Sequence, residues 1–531
     1  DVMKKLFLAM MLILGLLSCG KSGIGGKSIS FNMEAEPNSL DPQLTSDMGG
    51  FIITDMAYEG LLRLNEKNEI VPASAESWKV SDDGKVWTLT LRKNLKWSNG
   101  DPIKAQDYYN AIKRGIDPET SSEYAFITYY IKGAEDYNTG KIKDFNQVGV
   151  KVKDDYTIEF TLSKPAAYFG KTLVMPIYFP VNEKALAANK DKYASEADKS
   201  VYNGPYIIKK WVHDNKVVLE KNPNYWNAGN IKINQITALM VPDFDTATNL
   251  FKNKELGVTR ASIEKSAEFK GKPELRKVSN GRLYYLAFNQ KIPALKSKKV
   301  REALALAINR DDLVEKVLSG GGVKTTGVVA DQMRGISKEF REENGDLYAA
   351  YKNIDVKKLF DEGLKEEGLT PDKVHLTLTV DEKGTGKREA EFYQSQWKEK
   401  LGIDVQVEVL TYKERLSRGK EGNFEIIRSV WGPDYADAMT YLEIFASNGL
   451  NIAKNKNPEY DKLIEEGKVI TDNGKRMQTL EKAEKVLAND FVYSGLYYEL
   501  AMYLVDPKIE NVTLRAVGSK INFNKADIKS K

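Results

Sequence analysis

One cysteine, Cys19, serves a chain of 531 residues. No intrachain disulfide can therefore staple the fold. Single cores stop growing at about 250–300 residues, so more than one folding unit is expected. The position of the cysteine narrows the choice further. Lys4 and Lys5 precede the apolar run LFLAMMLILGLL, and Ser18 and Cys19 follow it. A basic start, a short apolar stretch and a small residue describe a secretory leader over residues 1–18. Twelve residues fall short of the about 20 that span a bilayer. The sole thiol then stands at the cleavage position, either held for a modification or there by chance. GKSGIGGKS after it reads as a flexible tether, residues 19–28. It is no phosphate loop: Lys21 occupies the place of the first glycine, and no strand precedes it.

The net charge of +4 is spread without long single-sign blocks, which argues against nucleic acid as a partner. The patterning is mixed. In KVWTLTLRKNLKWSNG, Trp87, Leu89 and Leu91 alternate with Thr88, Thr90 and Arg92, the period of a half-buried strand. Asn99 and Gly100 mark a tight turn, and AQDYYNAIKRGI after them reads as a helix. VGVKVKDDYTIEFTL predicts two strands joined at Asp154 and Asp155, and NGPYIIKKWVHDNKVVLEKNPNYW two more. KKVREALALAINRDDLVEKVLSGGG predicts an amphipathic helix whose apolar face carries Val300, Ala303, Leu304, Ala307 and Ile308, broken at residues 309–311. A helix through AEFYQSQWKEKLG leads into the strand IDVQVEVL. Antiparallel strands in the first half and βα units in the second predict α/β lobes with a ligand crevice between them.

Catalytic and metal signatures are missing. The two histidines, His213 and His375, have no partner at ligand spacing, and read as strand or surface residues. No nucleophile elbow, HExxH or dinucleotide fingerprint is present. No cofactor is expected. The stretch SVWGPDYADAM raises a different possibility. It follows the apolar run FEII, and Gly432 and Pro433 end that strand beside Trp431, Asp434 and Tyr435. Asp437 is the better N-cap for the helix AMTYLEIF, which leaves Asp434 either a turn residue or a binding group.

NSLDP (residues 38–42), the segment from Ala75 to Asp107 with its K-W-S-N-G, NGPY (203–206), NPNYW (222–226), FNQ (288–290), VREALALAINRDDL and QSQWKEKLGIDVQVEV stand in the order of a known family. The chain resembles extracellular solute-binding proteins of the oligopeptide/dipeptide type over nearly all of residues 29–510. LLSC likewise resembles the lipobox of bacterial lipoproteins, which implies lipidation of Cys19 and a membrane-surface anchor. The resemblance implies an α/β, two-lobed periplasmic-binding-protein fold with hinge crossovers. Lobe I would comprise residues 29–57, 181–284 and 498–531, an inserted domain 58–180, and lobe II 285–497. Hinges would lie near residues 284–289 and 497–503. The implied protein is no enzyme: it is a monomer that captures oligopeptides and passes them to the permease and ATPase subunits of an ABC importer. The W-x-x-D-Y motif makes Asp434, with Trp431, Gly432 and Tyr435, the implied seat of the peptide's ammonium. Ser429 to Gly432 and Glu34, Ala35 and Glu36 would pair with the peptide backbone. Arg428 would meet its C-terminal carboxylate, the alternative being a solvent-facing side chain. Asn110 replaces a tyrosine that relatives carry near the ammonium. Two other readings remain: the same fold binding a sugar, metal chelate or haem, and a secreted hydrolase without a motif.

Overall fold

A computed structural model describes residues 27–529. The expected leader, Cys19 and the tether through residue 26 lie outside the described residues. The large sheet contains β1 (Ser28–Asn32), β2 (Tyr206–Val212), β3 (Lys216–Lys221), β4 (Gln235–Leu239), β5 (Val258–Ala261), β6 (Leu275–Phe288), β7 (Gly322–Lys324), β8 (Leu376–Asp381), β9 (Val405–Leu410), β10 (Ile426–Trp431) and β11 (Tyr493–Val505). β1 thus opens on Ser28, a residue expected in the tether. The strand order is β9-β8-β10-β6-β11-β5-β1-β4-β3-β2, with β7 beside β11.

Two strands of unusual length hold this sheet together. β6 has 14 residues and β11 has 13, more than twice the common strand length of about 5–6. In one half, Leu275 to Ser279 pair with Leu504 to Leu500, next to β5. In the other, Leu283 to Ala287 pair with Tyr498 to Tyr493, next to β10. The molecule is therefore two α/β lobes crossed by two strands.

The pairing of the crossover strands is interrupted between Ser279 and Leu283. Gly281 there has φ +75°, a left-handed backbone that glycine adopts without strain, and an added Cβ would lie 2.7 Å from Pro433 Cγ. The Gly281 carbonyl accepts from the Tyr441 hydroxyl (2.5 Å), and that of Asn280 from Lys520 Nζ (3.0 Å). Residues 284–288, expected within the first hinge, are laddered without a break against β10 and, with a bulge between Tyr284 and Tyr285, against β11. The second expected segment, from residue 497, lies opposite the interruption, since Tyr498 pairs with Leu283 and Leu500 with Ser279.

A separate four-stranded antiparallel sheet, in the order Ala75–Val80, Val86–Leu91, Thr157–Thr161, Val150–Asp154, lies within the expected insertion. Trp87, Leu89 and Leu91 point inward, and Trp87 and Leu89 stand opposite Phe160 and Ile158. The helix Ala105–Ile116 covers AQDYYNAIKRGI to the residue. The helix expected from Lys298 ends at Leu306. The chain resumes at Arg310–Asp312 and a wider turn over Leu313–Val317, because Asn309 caps a new start through its side chain. One core lies around β8, β9 and the helix Gly386–Leu401, filled by Phe288, Tyr393 and Trp397. The larger core runs from β1 and β4 through the expected insertion, residues 58–180, to Tyr435 and Ile464.

Candidate functional site, a cleft at the crossover strands

β8 and β10 run parallel, but their ladder stops at Thr379 and Ile427. Beyond it the strands diverge, and a cleft of about 890 Å³ opens at their carboxyl ends, the usual place for ligands in α/β sheets. Its walls come from the crossover strands (Arg282, Tyr284, Tyr497, Glu499), from Asp381 to Thr385, from the helix Tyr412–Glu421, from Ile263 of lobe I and from Tyr124 of the inserted domain. Arg428, Ser429, Trp431, Gly432 and Asp434 all line it. Leu283 to Leu286 pair with one edge of residues 428–431, and among the described residues no strand pairs with the other. An unpaired edge facing a cleft is a template for an added strand.

Asp434 is placed by local contacts that spacing alone did not disclose. The buried Thr440 accepts from Trp431 Nε1 on its carbonyl (2.8 Å) and from the Asp434 amide on its hydroxyl (3.1 Å). The loop is thus pinned at both ends and the carboxylate is turned into the cleft. That carboxylate has no hydrogen-bond or ion-pair partner among the described residues. Burial alone pushes it up to about 6, because a half-buried anion without a counter-charge is poorly solvated.

The neighbouring groups are already occupied. Arg428 is neither solvent-facing nor free: it is 3% exposed. Its Nε donates to Glu389 Oε2 (2.7 Å), its Nη2 to Glu389 Oε1 (2.6 Å) and to the Tyr497 hydroxyl (3.1 Å), and its plane lies over Tyr284. Burial raises Glu389, but Arg428 outweighs it and holds the carboxyl below its usual range. A guanidinium already satisfied bidentately has little charge left for a ligand. Arg415 makes a similar pair, donating from Nε to Asp381 (3.0 Å) and from Nη1 to Ser429 Oγ (3.1 Å), while its Nη2 is buried without an acceptor among the described residues.

Tyr435, Glu34, Ala35, Glu36 and Asn110 lie outside the cleft lining. Tyr435 is buried, stacked on Tyr168 at 5.2 Å and donating to Glu443 (2.6 Å). Glu34 faces Arg260 at 3.3 Å and Ala35 is exposed. Glu36 accepts the Asp214 amide (2.9 Å) and sits 2.6 Å from His213 Nδ1. Asn110 accepts from Gln106 Nε2 (2.8 Å) on the inserted helix. Asp437 is not a simple cap. It accepts the Met439 amide (3.0 Å), but its carboxylate is buried between Arg476 (2.6 and 2.9 Å) and Lys171 (3.3 Å). Glu389, Arg415, Thr440 and Tyr124 escaped sequence reasoning, since no local pattern marks any of them. Among the described residues no group of His, Cys, Asp or Glu is placed to hold a metal ion.

The architecture has known counterparts. Residues 69–451 match the model of the bacterial extracellular solute-binding proteins, family 5. The dipeptide-binding protein DppE of Bacillus subtilis is 34% identical over 93% of this chain and 91% of its own. The unliganded open form of the murein tripeptide-binding protein MppA superposes with a TM-score of 0.85, at 26% identity over 95% of this chain and 98% of that one. Listeria monocytogenes OppA bound to peptide gives 0.69, at 30% identity over 96% and 100%. Matched over residues 69–451, and by a relative over 93% of its length, the chain belongs to the bacterial extracellular solute-binding proteins, family 5.

Proposed function

We propose that this protein captures extended peptides for an ABC importer, with the peptide's ammonium on Asp434 and its backbone along the open edge of residues 428–432. The carrying observation is the Asp434 carboxylate: it lines the cleft, is half-buried and has no partner among the described residues. An ammonium supplies the missing counter-charge in a charge-assisted hydrogen bond. Backbone pairing along the edge is indifferent to side chains and suits mixed peptides.

Closure completes the site. The better superposition on an open, unliganded relative than on a peptide-bound one supports an open state for the present conformation. Bending at residues 280–282 then carries lobe I, with Glu34 to Glu36, toward residues 429–432. Gly281 packs on Pro433, so the bend and the Asp434 loop move as neighbours. Arg428 acts here as a rigid buried pair with Glu389 that supports the edge. Lipidation of Cys19 keeps the protein at the membrane surface, within reach of the permease, and the protein itself performs no chemistry on its ligand.

Calorimetric titration with a short peptide and its N-acetylated form tests the reading, alongside native mass spectrometry of the freshly purified protein. Peptides should co-purify, and acetylation should weaken binding at least about tenfold, the loss of one charge-assisted contact. Equal affinity for the two forms overturns the Asp434 contact. Cleavage of the peptide overturns the receptor.

A further inference from the structure

A second cavity, of about 360 Å³, lies where the inserted domain meets the loop Tyr225 to Ile231 and the C-terminal segment, and it shares no lining residue with the cleft. Its size falls within the about 300–1,000 Å³ of small-molecule sites. Most polar groups in its wall are satisfied. Glu59 accepts from Ser74 (2.9 Å) and Trp226 (2.7 Å) and faces Arg63 Nε at 3.1 Å. Asn522 donates to Asp55 (2.7 Å), and Lys525 lies 2.5 Å from Glu66.

Two groups stand apart. The side chain of Arg515 enters no hydrogen bond or ion pair among the described residues, and its Nε is fully buried without an acceptor. Burial holds it below its ordinary proton affinity, with Asp55 offsetting only part of the effect. Asn524 Oδ1 is likewise buried without a donor. Both line the cavity. Arg515 is half-buried, a buried guanidinium N–H without an acceptor is costly, and Asn524 contributes an unanswered acceptor to the same cavity.

We infer that this cavity is a second ligand site for a small carboxylate carrying a hydroxyl, of the hydroxy-acid class, with the carboxylate on Arg515 and the hydroxyl donated to Asn524 Oδ1. A carboxylate matches the planar fork of arginine, and a hydroxyl meets the amide oxygen that a simple acid leaves unsatisfied. The neighbouring groove, lined by Lys232, Lys525, Asn511, Glu66 and Asp527, shares Glu66, Asn230, Thr513 and Lys525 with the cavity and opens it to the surface.

Equilibrium dialysis of radiolabelled lactate against the full chain is the test. One lactate per chain should bind saturably at millimolar concentration, acetate should compete at least about tenfold more weakly, and neutral lactamide should not compete. Arg515→Gln should abolish binding, while Asp434→Asn, altered only in the peptide cleft, should retain it. No saturable binding, equal competition by acetate, displacement by lactamide, or unchanged binding in a folded Arg515→Gln protein would each overturn the assignment. Should Arg515→Gln not fold, the acetate and lactamide competitions on the unmutated chain decide. Loss of lactate binding in Asp434→Asn would place the ligand in the peptide cleft and overturn it too.

Discussion

Asp434 and Asp437 stand in one short loop and live in opposite electrostatic worlds. Asp437 is buried between Arg476 and Lys171, which outweigh its burial and hold it well below the usual carboxylate range. Asp434, one turn earlier, has the same functional group, no counter-charge among the described residues, and a carboxyl pushed up to about 6. The first ties the loop to the helix Asn473–Asp490 and to the inserted domain. The second lines the cleft without a partner among the described residues, and the proposed function assigns it to the ligand. Removing a structural charge strands its partner, whereas removing a vacant one relieves desolvation, and the two carboxylates should separate on every measurement that distinguishes stability from affinity.

The largest separation is expected in stability. Asp437→Ala leaves Arg476 buried without its anion and should cost about 3–5 kcal/mol, read by denaturant unfolding; an unchanged midpoint would erase the distinction. Arg428→Ala, which strands Glu389 in the same way, should be destabilising by a comparable amount, against the small loss expected of an arginine reserved for ligand. Asp434→Ala should behave inversely. Peptide affinity should fall at least about tenfold, near 1.4 kcal/mol, with no drop in melting temperature, and calorimetry of both proteins checks this.

pH sharpens the contrast. The free Asp434 carboxyl titrates near 6, so affinity for a peptide ammonium should be full above pH 7 and fall through 6 by at most about tenfold per pH unit. The N-acetylated peptide should show no such decline. The smallest effect lies in the unliganded protein. A carboxyl raised on folding binds its proton more tightly in the native state, so its unfavourable contribution is present above 6 and relieved as pH falls toward 4. The stability difference between wild type and Asp434→Asn should therefore shrink over that window, by an amount on the order of 1 kcal/mol. A pH-independent difference would mean that Asp434 is better solvated than its position implies.

Local patterns carried far. The alternation in Val86–Leu91 and Thr157–Thr161 and the apolar stripe of Ala105–Ile116 each determine which face is buried, and the elements follow where those patterns predict them. The helix from Lys298 and its break near Asn309 were both legible, whereas the wider turn over Leu313–Val317 was not. Asp434 was marked as a binding group only through the W-x-x-D-Y resemblance, since spacing by itself favours a turn residue. The break at residues 280–282 was missed because its cause is the meeting of two strands more than 200 residues apart.

Periodicity thus determined the elements and their buried faces, because each depends on neighbours within a few residues, and the single cysteine excluded an intrachain disulfide. Tertiary structure alone decided which charges are spoken for. Arg428 meets Glu389 and Tyr497 from 39 and 69 residues away, and Asp437 meets Arg476 from 39. Arginine and aspartate look alike in a sequence whether paired or vacant, and only the packing that excludes water fixes which carboxylate keeps its charge unanswered.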